Sequence, residues 1–276
     1  MRIALILQEL DPFIQLTPQA TITYRLIQAL ADQGHELRVF MPRFGLINER
    51  KFRLHEVIRL SGVHINVMDE DFPMVIKVAP LPLVKRMQVY FVDHEEFFKR
   101  KFVFEDEQRR FFPDNAARSV FYSKGVLAAL KILGWTPDII HIQGWMAAIT
   151  PLLMKTFYRG EPFVEESRSI LEVIDGKWIT QPLGKDYIEV FSMDHIPKTY
   201  LRQLTNPTVG DLYKVGSQLS TITLWNPHRK RGIKKLQKAL EQHADHFKDI
   251  QADLDPEHPI STYCSIYSML LHPEDA

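Results

Sequence analysis

PDNAARSVFYSKGVLAALKILGWTPDIIHIQGW, Pro113 to Trp145, is the stretch whose reading decides the fold. From Asn115 to Leu133 the pattern is helical, with Ala117, Val120, Phe121, Leu127 and Leu130 as its buried stripe. Asp114 or Asn115 is placed to cap it, and Gly134 stands where helices commonly stop. Pro137-Asp138 then leads into Ile139–Ile142, a short continuous apolar run of the kind a strand buried on both faces shows. Gly144 and Trp145 open a further helical pattern carrying Ile149, Leu152, Leu153 and Phe157. Helix, strand and helix with short connections predict a βα unit of a parallel sheet.

Working outward, the same grammar recurs at the N-terminus. Ile3–Leu7 reads as a buried strand, Glu9 to Pro18 as a loop, and Ile22, Leu26, Ile27 and Leu30 as a helix closed by Gly34. Leu37–Met41 is the next strand, so this segment forms a right-handed βαβ unit. Between the two units, His55–Leu60, Val63–Val67, Met74–Val78 and Met87–Val92 are β-rich runs with no helix between them, read as hairpins or sheet extensions. Toward the C-terminus, Ile170–Ile174 and Leu219–Leu224 read as strands, and Val209–Val215 as a helical turn or two. Asp175 to Pro207 reads as loop or short helices. Ile233 to Ile250 reads as an amphipathic helix, and the tail from Asp253 shows no period. The expectation is an α/β fold: one Rossmann-like domain over 1–225, mostly parallel with a β-hairpin insertion, and a C-terminal helical extension and tail, 226–276, packed on it.

Composition bounds the function. The 276 residues carry 34 basic and 34 acidic side chains, so no net field favours nucleic acid or a membrane surface. Cys264 is the only cysteine, which excludes an intramolecular disulfide. The run Ile3–Leu7 ends at Gln8, Glu9 and Asp11, too short for a signal core, and nothing reaches a membrane span. These features point to a cytoplasmic protein. G-x-G-x-x-G after the first strand, a Walker A loop, G-x-S-x-G and H-E-x-x-H are all absent. Asp93, His94, Glu95 and Glu96 cluster in sequence, but adjacent residues rarely converge on one ion, so a solvated loop before a helix is the simpler reading and no metal or cofactor is expected. His228, Arg229, Lys230, Arg231, Lys234 and Lys235 form a basic run that reads as a solvated helix face or a polyanion contact.

Four local patterns share one resemblance. ALILQELDPFIQ from Ala4, MPRFGLI from Met41, VYFVDHEEFFKRK from Val89, and the opening block continued by MAAITPLLMK to Lys155 together resemble the N-terminal half of bacterial glycogen synthases and plant starch synthases. DLYKVGSQLSTITL from Asp211 is a fainter echo. Those enzymes are retaining glycosyltransferases of the two-Rossmann-domain GT-B kind, which add glucose from ADP-glucose to an α-1,4-glucan. The resemblance implies a cleft at the carboxyl ends of the strands, with Glu9, Gln15, His141, Gln143 and Trp145 at the positions of a substrate site.

The sequence departs from the family at those positions. The family's Lys-Thr-Gly-Gly-Leu loop, whose Lys meets the sugar-nucleotide phosphates, is here Gln15, Leu16, Thr17, Pro18 and Gln19. Gln15 carries no charge and Pro18 offers no N–H. The family's His-x-His-Asp-Trp-His is here His141 to Met146, with Gly144 for Asp and Met146 for the last His. His141 admits two readings, a ligand contact or a satisfied buried histidine, and Trp145 reads as core before sugar platform. The 276 residues also leave no room for the family's donor-binding domain. Two functions therefore stay open: a degenerate, non-catalytic relative that binds α-glucan or a protein partner, and a glucosyltransferase completed by a separate donor-binding subunit. A homodimer, covering the face that a second domain would occupy, is a further expectation. Neither catalytic nor metal-binding residues are assigned.

Overall fold

A computed structural model of the protein describes residues 1–174, 176–191, 195–227, 233–243, 246–251, 253–255 and 257–272. Its strands are β1 (Arg2–Leu7), β2 (Glu36–Pro42), β3 (His55–Glu56), β4 (Val63–Val67), β5 (Glu70–Pro80), β6 (Gln88–Asp93), β7 (Ile139–Gln143), β8 (Arg168–Val173), β9 (Ile222–Trp225) and β10 (Phe247–Asp249). They form one sheet in the order β10-β9-β8-β7-β1-β2-β6-β5-β3, with β4 added onto β5. From β10 through β6 every pairing is parallel. β5 runs antiparallel to β6, β3 and β4. This is the α/β, mostly parallel architecture that the sequence predicts, and the hairpin insertion is β4–β5. Its two-residue turn, Met68-Asp69, has positive φ at both positions, the mirror-image geometry that matches strand twist.

Continuous apolar runs become the central strands because both faces are covered. Ile3 to Leu7, Ile139 and Ile140 are fully buried. The sheet grows both ways from β1, and right-handed crossovers then put the helices of the two directions on opposite faces. The helix Gln19–Asp32, between β1 and β2, covers one face. The helices Asn115–Leu133, Thr150–Lys155 and Val209–Leu219 cover the other. Asn115–Leu133 is buried on nearly every side, so it shows no one-sided stripe over most of its length. Its Tyr122 hydroxyl bonds the carbonyls of Leu7 (2.7 Å) and Phe40 (2.9 Å), tying the helix to β1 and β2.

Three readings need correction. Ile233–Ile250 is not one helix: the helix is Lys234–His243, and Phe247–Asp249 pairs with β9 as the outermost strand. The helix Val209–Leu219 runs on to Leu219, so the last predicted strand begins at Ile222. The tail that looked aperiodic holds the helix Ile260–Leu271, which packs beside Gln19–Asp32 and completes that face of the sheet. Of the basic run, His228 to Arg231 lie outside the described residues. No helix among the described residues is long and apolar enough to cross a membrane.

Candidate functional site

The carboxyl ends of parallel strands are where an α/β sheet holds its ligands. Three structures stand on that rim here.

The first is the loop after β1. Glu9 is buried, and its Oε2 accepts the backbone N–H of Leu16 (2.6 Å) and of Thr17 (2.7 Å), while Oε1 accepts the Thr17 hydroxyl (2.7 Å). The Gln19 N–H donates to Thr17 Oγ1 (3.1 Å), and Pro18 has none to give. The loop therefore turns its amides inward onto a carboxylate. A phosphate approaching from outside finds the Leu16 and Thr17 amides turned away, with a negative charge behind them. Gln15 is exposed and donates to Thr21 Oγ1 (3.0 Å), on the wall of an open groove of about 560 Å³.

The second is a buried polar layer between the ends of β7, β8 and β9 and the helices Gln19–Asp32 and Ile260–Leu271. At its centre is Glu172 of β8, fully buried. Its Oε2 accepts His141 Nε2 (2.9 Å) and Gln143 Nε2 (2.7 Å). Its Oε1 accepts Asn226 Nδ2 (2.8 Å) and the Tyr263 hydroxyl (2.8 Å). Tyr267 reaches the other nitrogen of His141 at 2.9 Å. Gln143 Oε1 accepts from Thr23 (2.8 Å), and Gln19 links Thr23, Tyr263 and Asn226. Burial pushes the Glu172 carboxyl up, but the hydrogen bond and charge of His141, with Asn226 and Tyr263, outweigh it and hold it below the ordinary value. Burial, reinforced by the charge of Glu172, raises the phenols of Tyr263 and Tyr267 well above theirs. His141 is thus a satisfied buried histidine, and Gln143 faces protein on every side.

Next to it, Gly144 has φ 90°, and a Cβ there would lie 2.3 Å from the Gln8 side chain. The family's Asp has no space at this position, because Gln8 fills it. Met146 and Trp145 are fully buried; the indole packs edge-on against Phe104 at 4.8 Å. Trp145 is core.

The third is a cleft of about 600 Å³ at the ends of β2 and β6. Arg43 follows β2, Glu49 starts the short helix Glu49–Phe52, Lys77 lies on β5, and Asp93 ends β6. Glu49 Oε1 accepts both Arg43 Nη2 and Lys77 Nζ (2.8 Å), and Asp93 Oδ2 pairs with Lys77 Nζ (3.0 Å) and Arg43 Nε (3.7 Å). Burial pushes Glu49 up and Lys77 down, yet each ends displaced the opposite way, because the two hold one another ionised along with Arg43 and Asp93. The sequence cluster Asp93 to Glu96 divides here: Asp93 joins this quartet, and Glu95 opens the helix Glu95–Phe98. No group among the described residues has the make-up of a metal site. Asp114 caps nothing with its side chain; it pairs with Arg100 through both oxygens.

Sequence reasoning thus singled out His141 and Gln143 but missed Glu172, Asn226, Gln19, Tyr263 and Tyr267, which hold them. One signal was available: Glu172 is the only charge in the strand run Ile170–Ile174.

The family model of the starch synthase catalytic domain matches residues 2–222. The chain is 40% identical over 166 residues to the glycogen synthase of Chlorobium limicola, an alignment covering 60% of this chain and 34% of that protein. It is 39% identical over 163 residues to the glycogen synthase of Chlorobaculum tepidum, covering 59% and 33%. The chain spans about a third of the length of these curated relatives. Among solved structures, the catalytic domain of starch synthase IV from Arabidopsis thaliana, bound to ADP and acarbose, matches with a TM-score of 0.71 at 17% identity, over 91% of this chain and 52% of that one. At that identity the likeness establishes the fold.

Proposed function

The chain belongs to the starch synthase catalytic domain family, and on that premise we propose that it recognises α-glucan without transferring sugar to it. The observation that carries this reading is the closed layer around Glu172. The side chains at the family's sugar-holding positions, His141 and Gln143, are 0% and 2% exposed and spend their hydrogen bonds on protein. The tyrosines of Ile260–Leu271 lie where a ligand's hydroxyls would have to go. The loop after β1 supports the same reading for the nucleotide, since its amides are committed to Glu9.

The structural neighbour binds ADP and acarbose. Of these two kinds of ligand, the nucleotide needs phosphate donors that this loop withholds. An oligosaccharide needs only hydroxyl partners, which a polar surface supplies. Recognition of glucan is therefore the part of the family's chemistry that this chain keeps.

The test is paired. Purified protein given labelled ADP-glucose and glycogen is expected to incorporate no label above a blank, and to be retarded in a native gel containing glycogen. Incorporation above the blank would overturn the non-transferring role, and unchanged migration would overturn glucan recognition.

A further inference from the structure

We propose that the cleft between the ends of β2 and β6 and the inserted strand β5 is an oligosaccharide-binding site, with Arg43, Glu49, Lys77 and Asp93 as its hydrogen-bonding floor. It rests on the glucan-recognising reading above and gives that reading a place.

The geometry is fixed by register. Val75 of β5 pairs with Asp93 of β6, and Lys77 lies two residues along, on the same side of the strand. The quartet is mostly buried: side-chain exposures are 12% for Arg43 and Asp93, 21% for Lys77 and 34% for Glu49. One oxygen of each acid takes every ion pair in the quartet. Among the described residues, the second oxygens, Glu49 Oε2 and Asp93 Oδ1, stand outside these ion pairs, so each retains acceptor capacity, in an orientation that its partner oxygen has already fixed. Such preorganisation lowers the ordering cost that an uncharged ligand must overcome to bind.

The charge pattern selects the ligand class. An anion would face the carboxylates of Glu49 and Asp93 and, at the rim, those of Glu56 and of Glu95, the last paired with Lys99. A metal ion or other cation would face Arg43 and Lys77 at the centre. An apolar ligand would strip water from four charges and return nothing. A neutral polyol remains, because each hydroxyl both donates and accepts and so suits a floor that carries carboxylate oxygens and cationic N–H groups side by side. The walls suit it as well. Pro73 and Val75 present C–H surface, and the His94 ring is held rigid against Phe72 (5.3 Å) and Phe97 (5.2 Å). A volume of about 600 Å³ lies within the range of small-ligand sites.

The experiment is affinity electrophoresis of the full chain in native gels with and without glycogen, with maltotriose as soluble competitor. The variants are Asp93→Asn and Glu49→Gln, isosteric changes on two different elements, and Gln15→Ala in the groove beside the loop after β1. Thermal melting of each confirms that it is folded. The expected result is retardation of the wild type that maltotriose reverses, weakened about tenfold or more in Asp93→Asn and in Glu49→Gln and unchanged in Gln15→Ala. Equal retardation of wild type, Asp93→Asn and Glu49→Gln would overturn this site while leaving glucan recognition standing. Loss in Gln15→Ala alone would move the site to the other groove and overturn it here. A wild type that glycogen does not retard would overturn both the site and the reading on which it rests.

Discussion

At the end of β8, the carboxylate of Glu172 receives four hydrogen bonds and is fully buried. At the end of β6, Asp93 Oδ2 takes Lys77 and Arg43 beside an open cleft. Both clusters stand on the carboxyl rim of one sheet, and both are made of polar residues that topology would assign to a ligand. The difference lies in what each has left over. A saturated, buried network stabilises or specifies a fold; a cluster with spare valences facing water is able to bind. Polar character at a strand end is therefore not enough to mark a site.

The sharpest way to break this comparison is to remove Glu172. Glu172→Ala leaves His141, Gln143, Asn226 and Tyr263 without their common acceptor, and we expect a loss of about 3–5 kcal/mol in urea unfolding. A loss under about 1 kcal/mol would mean that water already enters the layer. Gly144→Ala comes next, at about 2–3 kcal/mol by the same measurement, because the new Cβ meets Gln8 at a backbone φ of 90°. Tyr267→Phe removes one buried hydroxyl contact to His141 and should cost about 1 kcal/mol. The smallest effect belongs to the open cluster: Lys77→Gln should change stability by less than about 1 kcal/mol, as partly solvated ion pairs do.

Acidity offers a further handle on the buried cluster. The Glu172 carboxyl is held below its ordinary value of 4.5, so its contribution is fully present above that pH and is lost as pH falls through the folded value. The phenols of Tyr263 and Tyr267 are raised, so their contribution is present below pH 10 and lost in stronger alkali. Glu172→Gln should flatten the acid arm of the stability profile measured by denaturant titration across pH. An unaltered acid arm would assign it to other carboxylates, with Glu49 first among them.

Much of this was legible in the sequence. Continuous apolar runs gave β1, β2 and β7, and the span Asn115–Leu133 of the long helix was correct to the residue. The departures at Gln15–Gln19 and Gly144 were visible as changes of residue type, and the structure supplies their physical form: amides turned onto Glu9, and Gln8 in the space of a side chain. What escaped was whatever depends on partners distant in sequence. ISTYCSIYSMLL, Ile260 to Leu271, buries only Tyr263, Ile266 and Tyr267 deeply, a pattern too sparse to read amid flanking prolines. Its tyrosines meet His141 and Glu172 across 126 and 91 residues. Phe247 kept helical spacing with Ile233 by coincidence, since its chain segment is held by pairing to β9. Asp114 has the residue type of a cap, but Arg100 is the stronger partner because it is a bidentate cation.

Central to the proposed function is that the strand-end crevice is filled and that this chain holds no sugar nucleotide. Isothermal titration of ADP-glucose into the full chain tests it most directly. We predict heats indistinguishable from dilution at concentrations where glycogen retards the protein. A saturable one-to-one isotherm would contradict the account, and its loss on Gln15→Ala would place the nucleotide in the loop that we read as closed.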